Sequence, residues 1–194
     1  MRKIVLTALV AACTIAAHAQ EKKVRFGVKG GLNVATQKIE ELGSIDQESK
    51  IGFHVGGVVE FAFTENLSLQ PEVVYSKQGT TLEDAGEKID FHVDYVNVPI
   101  VFKYNNLGVK GFGVGIGPQV GFLVNAKAEG GGEEEDIKDI YKSTDFAAVL
   151  NLEYEFDFGL FIQTRYNFGF TDINDLGDNK IQNRVFQVSA GYKF

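Results

Sequence analysis

The chain has 194 residues, 44% of them hydrophobic, and a formal net charge of −7. An acidic chain without a basic cluster argues against nucleic acid as a partner, and a single cysteine, Cys13, excludes a disulfide framework. The mean hydropathy of −0.05 suits a soluble protein and a β-barrel equally, so residue patterning has to separate them.

The chain opens as a secretory leader. Met1-Arg2-Lys3 is a positive n-region, Ile4 to Ile15 an apolar h-region, and Ala17-His18-Ala19 a small-x-small cleavage site before Gln20. The apolar stretch is too short to span a membrane as a helix. Val10-Ala-Ala-Cys13 loosely resembles a lipoprotein box, but apolar residues continue beyond Cys13 to the second site, which favours cleavage after Ala19. That cleavage removes Cys13, takes the net charge from −7 to −9 with the loss of Arg2 and Lys3, and leaves one domain over residues 20–194.

Period-2 alternation recurs through this domain, with no helical stripe and no apolar run long enough for a transmembrane helix. It predicts eight strands, at 24–36, 50–63, 67–78, 91–104, 109–124, 144–157, 159–171 and 182–194. The connections alternate in length. Those at 37–49, 79–90, 125–143 and 172–181 are long; those at 64–66, 105–108 and around Phe158 are short. Outer-membrane barrels have short periplasmic turns and long outer loops. The expected fold is therefore all-β: an eight-stranded antiparallel up-and-down transmembrane β-barrel with both ends periplasmic.

The strand faces fit this fold. Phe146, Ala148, Leu150, Leu152, Tyr154 and Phe156 oppose Ala147, Val149, Asn151, Glu153 and Glu155. Leu160, Ile162, Thr164, Tyr166, Phe168 and Phe170 oppose Gln163, Arg165 and Asn167. A soluble barrel with the faces reversed fits the same period. Three features favour the membrane. Tyr104, Tyr154, Phe156, Tyr192 and Phe194 sit near strand ends as an interfacial girdle. The polar faces carry both signs, with Arg25, Lys29, Lys103, Arg165 and Lys193 against Glu60, Glu72, Glu153 and Glu155, as a closed lumen requires. The leader supplies the export route.

Gly111, Gly113, Gly115, Gly117 and Gly121 all fall on the polar face of strand five. They are expected to make room for long Arg, Lys and Glu side chains from opposite strands, giving a filled lumen. All three prolines, Pro71, Pro99 and Pro118, fall inside strands, and bulges are expected at Pro99 and Pro118. The last strand ends Ala190-Gly-Tyr-Lys-Phe194, with Tyr192 and Phe194 on the apolar face and Lys193 inward. This aromatic end is the expected recognition signal for the barrel-assembly machinery.

Several segments resemble the PorT-like outer-membrane β-barrel family of Bacteroidetes-type bacteria. They are Phe26-Gly-Val-Lys-Gly-Gly-Leu-Asn33, Leu67-Ser-Leu-Gln-Pro-Glu-Val-Val-Tyr-Ser76, Tyr95-Val-Asn-Val-Pro-Ile-Val-Phe-Lys-Tyr104, Gly115-Ile-Gly-Pro-Gln-Val-Gly-Phe-Leu123 and the terminal Gly-Tyr-Lys-Phe. The resemblance covers residues 20–194 and implies the same barrel, porin-like, in a Gram-negative outer membrane. Asn97 departs from a frequent family Glu, so one lumen ion pair of the family is not implied here. One named member of that family serves protein secretion; fold alone does not carry such a role.

Few residues offer chemistry. His54 lies on the polar face of strand two, whereas His92 and Asp94 share the outward face of strand four, which separates them as an acid–base pair. There is no Gly-x-Ser-x-Gly elbow. Glu133-Glu-Glu-Asp136 reads as a solvated loop run, and the 172–178 segment matches a calcium loop poorly, with Leu176 at a ligand position. No catalytic residue, metal or cofactor is expected. The expected role is non-enzymatic: envelope support, or contact between the long loops and an extracellular protein or surface partner. A narrow channel for small solutes is the alternative, and a rim hydrolase is disfavoured.

Overall fold

The computed structural model describes residues 24–39, 46–84, 87–131, 133–175 and 180–194. The expected leader with Cys13, and residues 176–178 of the calcium-like segment, lie outside these. Nine strands follow in order: β1 (Val24–Ile39), β2 (Asp46–Ala62), β3 (Leu67–Asp84), β4 (Glu87–Tyr104), β5 (Phe112–Gly130), β6 (Glu133–Asp136), β7 (Thr144–Glu155), β8 (Leu160–Gly169) and β9 (Ile181–Lys193). Eight of them pair antiparallel in a closed ring, β1-β2-β3-β4-β5-β7-β8-β9, with β9 returning to β1. The ninth, β6, pairs with β5 alone.

The alternation sets the two faces. Leu32, Ile116 and Val188 are 61%, 62% and 50% exposed, whereas Lys29, Lys103 and Arg165 are 3%, 2% and 2% exposed. This is apolar outside and charged inside, the inverse of a water-soluble barrel. Aromatic pairs gather near the short turns: Tyr154 meets Phe156 edge-on at 5.0 Å, and Tyr192 meets Phe194 at 5.4 Å.

Strand lengths depart from the sequence reading. Within the 79–90 connection, expected as a long loop, residues 79–84 and 87–90 are strand: β3 and β4 each have 18 residues and pair up to Asp84 and Glu87. β5 starts at Phe112 rather than 109, after a turn shaped by Asn106 (φ 59), Gly108 (φ 71) and Gly111 (φ 84). It runs to Gly130, and the 125–143 connection also holds β6 and a 3-10 turn at Lys138–Ile140. At roughly 3.3 Å per residue such strands reach about 60 Å, while about 9–11 tilted residues cross a membrane. β3, β4 and β5 therefore rise past the lipid as a tall wall, above the shorter β7 and β8. There the outward face meets water instead of lipid, so the ladder continues beyond the lipid-facing alternation.

The prolines do not bulge the sheet. Pro99 pairs Gln119 and Phe102 pairs Ile116 without a register step, and Pro118 pairs Ala148 in an unbroken β5–β7 ladder. Proline removes one donor, and the ladder answers with short lapses of pairing instead of an extra residue. The register shifts fall elsewhere, between Ser49 and His54 in β2, and at Val124, where Asp94 pairs Asn125 but Tyr95 pairs Leu123. The Val124 shift reverses the facing parity: Gly121 and Leu123 point inward below it, Ala126 and Ala128 above it.

The glycine face of β5 is filled from neighbouring strands rather than by long charged side chains from across the barrel. A Cβ on Gly115 would lie 2.7 Å from Val101 Cγ1 and 3.0 Å from the Asn151 amide; one on Gly121 would lie 2.7 Å from Asn97 Oδ1. Asn97 thus occupies the glycine notch and takes no ion pair.

At the closing seam the two backbones approach closely. A Cβ on Gly31 would lie 1.9 Å from the Val188 carbonyl oxygen, whereas one on Gly30 has nothing nearer than 3.5 Å. Gly31→Val is expected to destabilise the barrel by about 1–3 kcal/mol or more, and Gly30→Ala to melt near wild type. Thermal unfolding in detergent, read by circular dichroism and heat-modifiable gel mobility, measures both; equal melting temperatures would contradict a sterically limited seam.

Candidate functional site

The lower lumen is an ion-paired plug. Alternation turns one residue in two inward, and the ring brings distant strands within side-chain reach. Lys103 on β4 donates to Glu60 at 2.9 Å and to Glu153 at 2.5 Å. Lys193 on β9 donates to the same two carboxylates at 2.7 Å each and to Glu155 at 3.0 Å. Arg25 bridges Glu60 and Glu155. One layer up, Arg165 grips Glu72 with both guanidinium NH2 groups at 2.6 and 2.8 Å, and Lys29 pairs Glu72 at 2.7 Å. Gln70 joins the layers by donating to Glu72 while accepting from Lys103; Gln163 does so by donating to Glu153 while accepting from Lys29. Such pairs survive desolvation because each charge meets an opposite charge and further hydrogen bonds. Glu60, Glu153 and Glu155 lie close enough to share a cation, but Lys103, Lys193 and Arg25 already fill that role.

Above the plug lies a neutral polar layer. Asn33 gives its amide N–H groups to Ser76 and to the Phe53 and Lys77 carbonyls, so its oxygen faces His54 and Gln187. His54 Nδ1 therefore donates to Asn33 at 2.7 Å, and Nε2 accepts the Ser189 hydroxyl at 2.7 Å. Both ring nitrogens are engaged in the sealed interior, which leaves none for a metal or a substrate. On the β7–β8 side the picture differs. Both amide atoms of Asn151 and of Asn167, and Nε of Arg165, are buried without a partner.

The outer mouth is closed by an apolar cap. Val93, Tyr95, Leu123 and Ala126 from the wall meet Ile137, Tyr141 and Ile173 from the connections, all at most 9% exposed. Tyr141 also donates to Gln37 at 3.2 Å across the mouth. Ile173 is held by its neighbour: Asp172 Oδ1 accepts from the Ile181 and Asn174 N–H groups at 3.1 Å each. The Ile181 N–H, aided by Asn174 and Lys142, keeps the Asp172 carboxyl below its usual range despite partial burial.

The residues weighed from sequence are thus separated. His92 and Asp94 face outward: His92 lies by Lys50 and 3.6 Å from Glu129, and Asp94 accepts from the Tyr75 hydroxyl at 2.9 Å. Neither reaches His54. Glu133–Asp136 forms β6, with Lys127 paired to Glu134. Phe161 was not legible as a lumen residue. Its ring is fully buried beneath Lys193 Nζ at 4.8 Å, in the space left by Gly191 opposite. Its shared parity with Gln163 and Arg165 was the available signal. The cap residues Ile137, Tyr141 and Ile173 carried none, because they lie in connections without alternation.

No curated protein matches the chain. Among solved structures it is similar to Neisserial surface protein A, at 14% identity and TM-score 0.58 over 87% of this chain and 97% of that one. It is also similar to Ail of Yersinia pestis, solved with the heparin analogue sucrose octasulfate, at 17% identity and TM-score 0.53 over 89% and 99%. A third is OprG from Pseudomonas aeruginosa, at 11% identity and TM-score 0.50 over 89% and 97%. At these identities the likeness carries the fold alone. The match that assigns the chain is to the outer membrane protein beta-barrel domain, over residues 18–175; with its lipid-facing apolar band and ion-paired lumen, the chain belongs to that family of outer-membrane barrels.

Proposed function

We propose that the protein is a non-enzymatic, non-conducting barrel of the PorT-like branch, which holds its tall outer wall clear of the membrane for contact with an extracellular protein or surface. The observation that carries this reading is closure of the lumen at two levels, by the Lys103–Lys193–Glu60–Glu153 plug below and the Ile137–Tyr141–Ile173 cap above. An eight-stranded ring has room for side chains and little else. The separation of His54 from His92 and Asp94 supports the absence of an enzyme. One observation favours a narrow channel instead: the Asn151 and Asn167 amides are buried with no hydrogen-bond partner among the described residues, as polar groups that meet water along a path would be.

In planar bilayers the purified protein is expected to show no stable conductance, and a reproducible unitary current would overturn the reading. The plug also makes a stability prediction. Glu72→Ala strands Arg165 and Lys29 without their carboxylate, which is expected to cost about 3–5 kcal/mol and to lower the unfolding temperature in detergent. A variant melting like wild type would mean that the pair is already solvated. Deletion of Phe194, which is 65% exposed on the lipid face, is expected to reduce outer-membrane assembly; normal membrane fractionation would remove its role in recognition by the assembly machinery.

A further inference from the structure

The tall wall carries a groove above the cap. It occupies about 980 Å³ on the concave face of β4, β5 and β6. Its floor is Ile89 and Phe91 of β4 and Ala128 of β5, and Phe91 and Ala128 continue into the apolar cap beneath. The β5–β6 register fixes its edge. Glu135 pairs Ala128 and Glu133 pairs Gly130, so both carboxylates rise on the same face as the floor. Glu134 and Asp136 alternate with them, paired in register with Glu129 and Lys127, and Glu134, which also borders the groove, is already ion-paired to Lys127. Lys88, the one cation lining the groove among the described residues, is already paired with Glu83 at 2.9 Å and Glu48 at 3.4 Å. Glu133 and Glu135 are exposed and have no ion-pair partner among the described residues.

We propose that this groove binds a short cationic peptide bearing large apolar side chains. Two uncompensated carboxylates two residues apart match lysine or arginine at alternate positions of an extended segment, since same-face residues of a strand repeat every second position. The Ile89–Phe91–Ala128 floor takes the apolar side chains, which a purely polar cation would leave unused. The same charges disfavour polyanions, including a sulfated sugar or a lipid phosphate. The inference deepens the reading of the outer wall as a contact surface and names what it contacts.

The test uses the full barrel in nanodiscs of zwitterionic lipid and a fluorescein-labelled peptide of alternating lysine and phenylalanine, followed by anisotropy at low salt. Saturable binding is expected, with the Kd raised about tenfold in the E133Q/E135Q double variant, as expected from two screened ion pairs, and raised also by Ile89→Ser. Both changes are on exposed sites above the membrane and leave the barrel intact. Affinity unchanged by E133Q/E135Q, or equal binding of a peptide with glutamate in place of lysine, would overturn the proposal. A sealed barrel that binds no peptide sinks this inference alone, whereas a conducting barrel that binds it sinks only the non-conducting reading.

Discussion

Closure of the ring is the constraint from which the other features follow. Once β9 pairs β1, every second residue of eight strands points into a space too narrow for bulk water. A charge placed there is held by another side chain or is not tolerated. This is why Glu72 is held by two cations from different strands and why Lys193 reaches three carboxylates. The same crowding explains the glycines. Gly115, Gly121 and Gly191 give up their own volume to Val101 and Asn151, to Asn97, and to the Phe161 ring.

The lipid-spanning part of this arrangement was legible because the membrane imposes a strict period. Apolar Leu150 and Leu152 beside charged Glu153 state the facing of β7 without ambiguity. Pairing partners were less legible, since parity says that Arg165 points inward but not that it meets Glu72 from β3 across the lumen. The upper wall was illegible for a physical reason. Above the lipid the alternation of β4 reverses its sense, with Lys88, Asp90 and His92 on the outward face and Ile89, Phe91 and Val93 turned inward, so the lipid-facing pattern no longer marks the segment as strand. The proline reading failed in a related way: a missing donor is a local loss, and the side-chain period on either side of Pro99 and Pro118 kept the register fixed.

The Val124 shift connects the two regimes. Without it, β5 would carry its inward face straight on, and Asn125 and Lys127 would occupy the mouth. One extra residue turns Ala126 and Ala128 inward instead, opposite Val93 and Phe91. Small apolar side chains there leave room for Ile137, Tyr141 and Ile173 to come down from the connections and close the mouth. On β5 the inward apolar face is thus carried upward past a backbone irregularity, as is common where bulges re-aim side chains.

That junction also limits what the outer wall can transmit. The floor of the β4–β5–β6 groove and the top of the cap share Phe91 and Ala128. A group packed on this floor adds contacts to the residues that keep the mouth shut, and a ligand favours whichever state it binds better. A peptide that packs on this floor only while the mouth is shut would therefore favour closure. The ionic plug lies farther down and takes no residue from β6 or from the cap, so it stays paired whether or not the groove is filled. Opening a path through the barrel would require separate disruption of both layers, whereas contact at the wall requires neither.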